Sequence, residues 1–208
     1  MKISYAVTVA DEIKEIQTLL PILIENKLKD DEIVVQYDNQ KVSIEVLEYL
    51  NDLVFEKKIN LLVGYPLNGD FGTYKQHLTQ NCTGDWIFQL DADEILEPTL
   101  IQSLQDILNG NENIEMFFIP RINIVNGLTP EHIAKWRWQV NENGWVNFPD
   151  VQGRLYRNKQ SIFWAGKVHE QLQGFESYTI FPQDETYCIK HIKEIERQEK
   201  QNALYETL

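Results

Sequence analysis

The sequence predicts an α/β fold in which a mostly parallel sheet is covered by helices on both faces. The chain of 208 residues is 43% hydrophobic and 25% charged, which is typical of a globular chain with a sizeable core. In its first half, short apolar runs alternate with segments of helical spacing, a pattern that indicates βαβ units. The second half is rich in glycine, proline and tryptophan and predicts a smaller, irregular or antiparallel region.

Short apolar runs bounded by polar or turn residues predict the strands. In the first half these runs are Ile3 to Val9, Ile33 to Tyr37, Leu61 to Tyr65 and Trp86 to Leu90. Met116 to Ile119 is expected to continue the sheet, because the run is again uniformly apolar. Shorter strand-like pieces follow at Arg154 to Tyr156, Ile162 to Trp164 and Tyr187 to Ile189.

Helical segments are predicted between these strands. Apolar residues at helical spacing follow Asp11, Ser43 and Asp70, and each of these polar residues is a candidate N-cap. Pro21 is expected to break or kink the first helix, because proline lacks the amide hydrogen that a helix interior needs. A further helix is predicted to start near Pro98 and to end before Gly110.

The chain is expected to form one domain over residues 1–192, with halves at 1–110 and 111–192. Residues 193–208 are polar and predict a terminal helix or a linker to a further domain. No apolar run approaches the roughly 18 residues of a membrane span, so no span is expected. Two cysteines without C-x-x-C spacing fit a reducing compartment, and we expect a cytoplasmic location.

The net charge of the chain disfavours some classes of binding partner. Lys and Arg number 19 against 32 Asp and Glu, a net charge of −13 that disfavours binding to nucleic acid. A small anionic ligand would need a divalent cation between itself and the carboxylates. The acidic excess is therefore a weak indication of metal chemistry.

The strongest motif is an apolar strand that ends in carboxylates, Asp85 to Glu94. Side chains alternate along a strand, so Asp91 and Asp93 are expected to point the same way and to reach one hard cation. Ligands of parallel sheets bind beyond the carboxyl ends of the strands. The sequence therefore predicts a metal site at this edge.

The segment Thr83 to Glu94, which reads TGDWIFQLDADE, resembles the D-x-D region of family 2 glycosyltransferases of the GT-A fold. Three further parts of the chain agree with this resemblance, which covers most of residues 1–192. They are Ile33 to Asp38, Gly72 to Gln76, and the pair Gly153 to Asn158 and Trp164 to Glu170, which is close to an RLFRN…W-x-G-x-VHE pattern.

The resemblance implies a glycosyltransferase that moves a sugar from a nucleoside diphosphate sugar, most often a UDP-sugar, to a saccharide or glycan acceptor. It implies Mn²⁺ or Mg²⁺ as cofactor and inversion at the anomeric carbon, with donor binding in residues 1–110 and acceptor binding in 111–192. The residues implied for the metal are Asp93, Asp91 and His191, and those implied for the nucleotide sugar are Thr8, Val9, Asp38, Lys75, Asp91 and Ala92.

Several residues keep alternative interpretations. Lys75 either contacts the diphosphate or is a solvated helix lysine, and His191 is either a ligand or an ordinary surface residue. Trp138 and Trp145, with Trp136, either stack on acceptor sugars or form a small core.

The catalytic base is predicted to be Asp150 or Glu170. Asp150 is expected in a loop beside aromatic residues, where desolvation would raise its pKa. If residues 166–171 are extended, Glu170 faces the packed side and is a buried structural partner rather than a base. Other classes of function are a carbohydrate-binding module with a structural cation, a sugar nucleotidyltransferase, or a phosphohydrolase that uses Asp91 and Asp93.

Overall fold

The computed structural model describes residues 1–205 and, among these, the side chains of residues 1–200. Its first half alternates strands and helices as predicted. The elements are β1 (Ile3–Val9), α1 (Ile13–Asn26), β2 (Glu32–Asp38), α2 (Ile44–Phe55), β3 (Leu61–Tyr65), α3 (Phe71–Gln80) and β4 (Trp86–Asp91).

Two of the three predicted N-caps are confirmed. The Ser43 side chain accepts a hydrogen bond from the backbone N–H of Val46 at the start of α2, and Asp70 accepts one from Thr73 at the start of α3. The prediction for Asp11 is wrong, because Glu12 occupies the N-cap position of α1.

Of the two effects expected of Pro21, a break in the first helix is wrong, because α1 continues through Pro21 to Asn26. Proline removes one hydrogen bond, to the carbonyl four residues earlier. That residue is Gln17, which is exposed, so water can satisfy its carbonyl. Three apolar residues of α1, Leu19, Leu20 and Leu23, are fully buried around Pro21 and hold the helix against the sheet.

The second half contains longer strands than the sequence indicated. Its elements are β5 (Glu94–Ile95), α4 (Pro98–Asn109), β6 (Met116–Asn126), α5 (Pro130–Trp136), β7 (Val146–Arg157), β8 (Phe163–Ala165), β9 (Gln171–Gln173), β10 (Tyr178–Ile180), β11 (Ile189–Glu194) and α6 (Ile195–Tyr205). Strand β11 thus passes the predicted boundary at residue 192.

The beginning of the predicted polar tail contacts the body of the protein. Lys193 is buried in β11, and Arg197 of α6 forms ion pairs with Glu12 and Glu15 at the start of α1. Residues 206–208 of the predicted tail lie outside the described residues. Among residues 1–205, no helix has the length and apolar character required to cross a bilayer.

The central sheet is mostly parallel, as predicted. Eight of its nine strands follow the order β3-β2-β1-β4-β7-β6-β11-β5, and β10 pairs with β6. Strands β3, β2, β1 and β4 are mutually parallel, whereas β7 is inserted antiparallel between β4 and β6. Strands β8 and β9 form a separate hairpin.

Both faces of the sheet are buried. One face packs on α1, α2 and α4 through a large apolar cluster that contains alternate residues of β1, from Ile3 to Val9. The other face packs on α3 and the β8–β9 hairpin, with Leu78, Trp164 and Leu172 in the cluster. Burial on both sides explains why the parallel strands appear in the sequence as continuous apolar runs.

Candidate active site

The carboxyl ends of the parallel strands bring together residues that are far apart in sequence. Thr8 of β1 is the register partner of Asp91 of β4. The Thr8 hydroxyl donates a hydrogen bond of 2.8 Å to Asp91 Oδ1, and the N–H of Ala92 donates one of 2.9 Å to the Thr8 carbonyl. Val9 is buried in the apolar cluster, so only its backbone faces this edge.

The two aspartates of the D-x-D motif contact different partners. Strand β4 ends at Asp91, and Ala92 and Asp93 form a turn. The strand alternation that predicted a shared direction therefore does not extend to Asp93, and that part of the prediction is wrong. Asp93 Oδ2 lies 3.3 Å from His191 Nε2 and 3.5 Å from Lys193 Nζ.

Asp91 lies between two buried cations. Its carboxylate oxygens are 3.3 Å from Lys75 Nζ and 2.9 Å from Arg154 Nη2. Burial by itself raises the pKa of Asp91, but the two cations and the Thr8 hydroxyl outweigh it and hold the pKa well below its ordinary value. Burial also raises the pKa of Asp93, but the hydrogen bond with His191 and the positive charge of Lys193 outweigh it, so that pKa is lowered as well.

Glu94 connects the motif to the second half of the chain. It is fully buried and accepts hydrogen bonds from Arg154 at 2.6 Å and Arg121 at 3.2 Å. Its other oxygen accepts the Asp91 N–H at 3.0 Å, which fixes the turn after β4. Burial lowers the pKa of Arg154, but the charges of Glu94 and Asp91 raise it by more, so this guanidinium is a permanent cation.

Lys75 is a buried residue and not a solvated helix lysine. It is 4% exposed, and its ammonium lies 2.8 Å from Glu170 Oε1 in addition to its contact with Asp91. The ammonium also lies 5.1 Å from the centre of the Trp164 ring. Lys75 therefore links the D-x-D motif to the segment that contains Glu170.

The loop from residue 166 to residue 170 packs directly on the start of α3. The Phe71 N–H donates to the Lys167 carbonyl at 2.9 Å, and the Gly72 N–H donates to the Gly166 carbonyl at 3.1 Å. The loop joins β8 to β9 through bends, with positive φ at Gly166 and His169, so the condition of an extended segment, from which a packed side for Glu170 would follow, is not met. The bends turn Glu170 toward Lys75.

Replacing Gly72 by alanine is expected to displace this loop. A Cβ at Gly72 would lie 2.4 Å from the Gly166 carbonyl oxygen, a backbone atom. Overpacking of this kind costs about 1–3 kcal/mol, and each kcal/mol lowers the Tm of a domain of this size by about 2–4 °C. Thermal unfolding measures the loss. Gly110→Ala is the control, because no atom lies within 3.0 Å of the added Cβ. Equal melting of Gly72→Ala and wild type would contradict the contact.

Asp38 ends β2 at the same edge and is 2% exposed. Its Oδ1 accepts the N–H of Gln40 at 3.1 Å and the N–H of Leu67 at 3.4 Å. Its Oδ2 is buried and has no hydrogen-bond partner among the described residues. An adjoining cleft of about 520 Å³ is lined by Tyr65, Pro66, Leu67, Asn68, Gly69, Asp70, Thr73, Lys167 and Val168. The Asp38 carboxylate thus retains one acceptor for a ligand.

Asp150 lies in β7 and is held by three side chains. Arg121 donates to Asp150 Oδ2 from Nη2 at 2.6 Å and from Nε at 2.9 Å. Asn123 donates to the same oxygen at 2.9 Å, and Gln152 donates to Oδ1 at 2.5 Å. Burial raises the pKa of Asp150, but these groups outweigh it and lower the pKa overall. The expectation of a raised pKa is therefore wrong.

Trp138 and Trp145 lie in the region between α5 and β7 and are half-buried. Trp138 packs 4.7 Å from Trp136, and Trp145 packs 4.9 Å from Phe148, between ring centres. Neither ring belongs to the two buried clusters of the described residues. Both retain exposed surface, which an acceptor-stacking role requires.

A sequence model of glycosyl transferase family 2 matches residues 4–175, which include every element from β1 to the β8–β9 hairpin. The chain belongs to glycosyl transferase family 2.

Solved structures agree with the fold. The crystal structure of S. aureus TarS 1-349 superposes with a TM-score of 0.64 at 14% identity, over 92% of this chain and 60% of that one. TarS 1-349 in complex with UDP-GlcNAc gives a TM-score of 0.62 at 17% identity, over 93% and 59%. This family 2 chain thus spans about 60% of the length of the TarS fragment.

The residues around Asp93 fit a divalent cation only in part. Asp93 and His191 place an oxygen and a nitrogen 3.3 Å apart, a spacing that lets both bind one ion. Asp91 is unsuited to be a further ligand, because Lys75, Arg154 and Thr8 occupy its oxygens. The described part of the chain holds no cluster of three or more His, Cys, Asp or Glu placed to bind a metal. An ion bound here would therefore take its remaining ligands from substrate oxygens or water.

Three positively charged residues of this site in the family 2 chain were not predicted from the sequence. Arg121, Arg154 and Lys193 lie inside strands, and each contacts a carboxylate from a distant part of the chain. The available signal was Arg154 in the GRLYRN segment, an arginine at the start of the short strand-like piece Arg154 to Tyr156, all of which is buried. Asn123 gave no such signal.

Proposed function

We propose that this family 2 chain transfers a sugar from a UDP-sugar to a saccharide or glycan acceptor, with inversion at the anomeric carbon and with Mn²⁺ or Mg²⁺ as cofactor. One arrangement carries the proposal: Asp93, His191 and the unpartnered oxygen of Asp38 lie at the same edge of the sheet. A nucleoside diphosphate fits this arrangement at both ends. An N–H of its base can donate to Asp38, and its anionic diphosphate can bind a cation held by Asp93 and His191.

The donor end of the proposal rests on Asp38. A uracil base has one ring N–H, which suits a buried carboxylate oxygen that lacks a donor. A guanine base presents a different set of donors, so the single acceptor favours UDP. Thr8 of β1 lies between Asp38 of β2 and Asp91 of β4 along this edge, and Ala92 is hydrogen-bonded to Thr8. Both residues would contact the ribose and diphosphate.

The diphosphate end rests on Asp93 and His191, which would hold the cation. The chemistry supplied by a bound divalent ion is neutralisation of the charge that develops on the leaving diphosphate. The ammonium of Lys193 lies 3.5 Å from Asp93 and would place a positive charge from the protein next to the bound ion, where it also faces the diphosphate. Lys75 and Arg154 neutralise Asp91, so its carboxylate does not repel the donor.

We propose Asp150 as the general base that takes the proton from the acceptor hydroxyl. Inversion requires a single displacement and therefore one base on the acceptor side. The Asp150 side chain is 25% exposed, whereas Glu170 is 15% exposed and paired with the buried Lys75. Glu170 is thus better suited to position Lys75, and Trp138 and Trp145 would stack on the acceptor sugar.

Thermal shift and donor hydrolysis test this proposal. We expect UDP with Mn²⁺ to raise the Tm more than UDP alone or GDP with Mn²⁺. Saturation at 100 times Kd corresponds to about 2.7 kcal/mol of added stability. Slow release of UDP from UDP-GlcNAc, dependent on Mn²⁺, would support the transferase. Glycan binding without turnover would instead support the carbohydrate-binding module, and metal-independent binding of UDP would contradict the cofactor assignment.

A further inference from the structure

His191 and Asn123 form a cross-strand pair next to the proposed metal site. They are register partners on the parallel strands β11 and β6. The His191 ring nitrogen Nδ1 lies 2.7 Å from Asn123 Oδ1, and the other ring nitrogen, Nε2, lies 3.3 Å from Asp93 Oδ2. The ring is thus held at both nitrogens.

The orientation of the Asn123 amide follows from its other neighbour. Asn123 Nδ2 lies 2.9 Å from Asp150 Oδ2. An ionised carboxylate only accepts hydrogen bonds, so the amide nitrogen must face Asp150 and the amide oxygen must face His191. An amide oxygen also only accepts, so the hydrogen between Asn123 and His191 belongs to Nδ1 of the ring.

A proton on Nδ1 determines what the other ring nitrogen can do. Without a cation, Nε2 can donate a hydrogen bond to Asp93, the contact that helps to lower the pKa of that carboxyl. When a divalent cation takes the place of that hydrogen, Nδ1 keeps its own hydrogen and Nε2 presents its lone pair beside Asp93. A nitrogen lone pair next to a carboxylate oxygen provides two ligand atoms for one cation. Metal-binding histidines commonly have their second nitrogen fixed in this way by an outer hydrogen-bond partner.

We propose that Asn123 is a positioning residue that holds His191 with Nδ1 as hydrogen-bond donor, so that Nε2 and Asp93 act together on one divalent cation. The metal part of this proposal rests on the proposed function. The chain Asp150–Asn123–His191–Asp93 also connects the proposed base to the proposed metal site through three consecutive contacts.

The test uses the full chain and Mn²⁺ alone as the probe. In protein labelled with ¹⁵N-histidine, the His191 signals are assigned by comparison with His191→Gln. We expect neutral His191 in the wild type to carry its hydrogen on Nδ1. We expect Asn123→Leu to shift the hydrogen toward Nε2 and to weaken Mn²⁺ binding by about 10–100-fold.

Asn126→Leu is the matched control. Asn126 lies on the same strand, and its amide contacts Glu194, its own register partner on β11, at 2.8 Å. We expect this variant to leave the His191 signals and the Mn²⁺ affinity unchanged. In a double-mutant cycle, the effect of Asn123→Leu on Mn²⁺ affinity should vanish in the His191→Gln background, because Asn123 acts through the ring.

Neutral wild-type His191 with its hydrogen on Nε2 would overturn the proposal, and this measurement needs no variant to fold. Unchanged Mn²⁺ affinity in Asn123→Leu, or additive losses in the cycle, would overturn it too. Failure of the proposed function has a different signature, namely no UDP binding and no release of UDP from UDP-GlcNAc by the wild type.

Discussion

Asp93→Asn is expected to abolish the metal dependence of UDP binding. Asp93 provides the only carboxylate oxygen next to His191 Nε2 among the described contacts, at 3.3 Å. Loss of an outer hydrogen-bond partner already weakens metal binding by about 10–100-fold, so loss of a direct ligand should cost at least as much. Calorimetry with UDP, with and without Mn²⁺, measures the difference.

The metal-free measurement makes this prediction sharper. The neutral amide of the Asp93→Asn variant would no longer offset the charge of Lys193, whose ammonium lies 3.5 Å from the carboxylate in the wild type. The ammonium of Lys193 then lacks this carboxylate contact, so we expect the affinity for UDP without Mn²⁺ to stay the same or to rise. General damage to the site would lower both affinities.

Asp52→Asn is the control for Asp93→Asn, because it removes the same charge from an exposed position of α2. It should leave both affinities unchanged. Equal Mn²⁺ dependence in Asp93→Asn and wild type would remove Asp93 from the metal site.

The parallel half of the fold could be predicted because it is buried on both faces. Strand β1 is buried throughout, and it begins and ends where its apolar run does. The edge strand β3 is only half-buried or exposed, but Asn60 and Pro66 bound its apolar run, so its limits were also predicted.

The antiparallel strand β7 was recognised only at Arg154 to Tyr156, the part that is fully buried. Residues 147–153, which include Pro149 and Gly153, are half-buried or exposed and carry no continuous apolar pattern. A strand whose burial changes along its length has no single sequence period.

The candidate site was predictable where it depends on strand ends and not where it depends on pairing across the sheet. Asp38 and Asp91 end parallel strands, so their location at one edge followed from the topology. The contact between Arg121 and Asp150 depends on the register of β6 with β7, which the sequence does not specify. The lowered pKa of Asp150 depends on the same contact, and this is why desolvation alone predicted the wrong direction.

Asp150→Asn is expected to lower the rate of sugar transfer by about 10²–10⁴-fold, the usual contribution of a general base. Asparagine keeps the size of the side chain but cannot take up the proton of the sugar hydroxyl that attacks the donor. The donor contacts at Asp38, Asp93 and His191 are unchanged, so we expect the affinity for UDP with Mn²⁺ to stay within a few-fold of wild type. Single-turnover transfer from UDP-GlcNAc and calorimetry measure the two quantities.

The pH profile adds a second readout for Asp150. Its pKa is lowered, so the carboxylate remains ionised below the ordinary Asp value of about 3.9. Transfer by the wild type should therefore show no loss that is due to Asp150 between neutral pH and about pH 4. A base with a raised pKa would instead produce an acid limb inside this range, and that result would contradict the assignment.

Glu170→Gln separates the two candidate bases. Glu170 contacts Lys75 at 2.8 Å, and the glutamine oxygen can still accept a hydrogen bond from that ammonium. Lys75 also keeps its contact with Asp91, so we expect a folded variant with a much smaller loss of transfer than Asp150→Asn. The reverse result, with Asp150→Asn close to wild type and Glu170→Gln folded but inactive, would move the role of base to Glu170. Lys75 would then be the residue that positions this base, because its ammonium lies 2.8 Å from the Glu170 carboxylate.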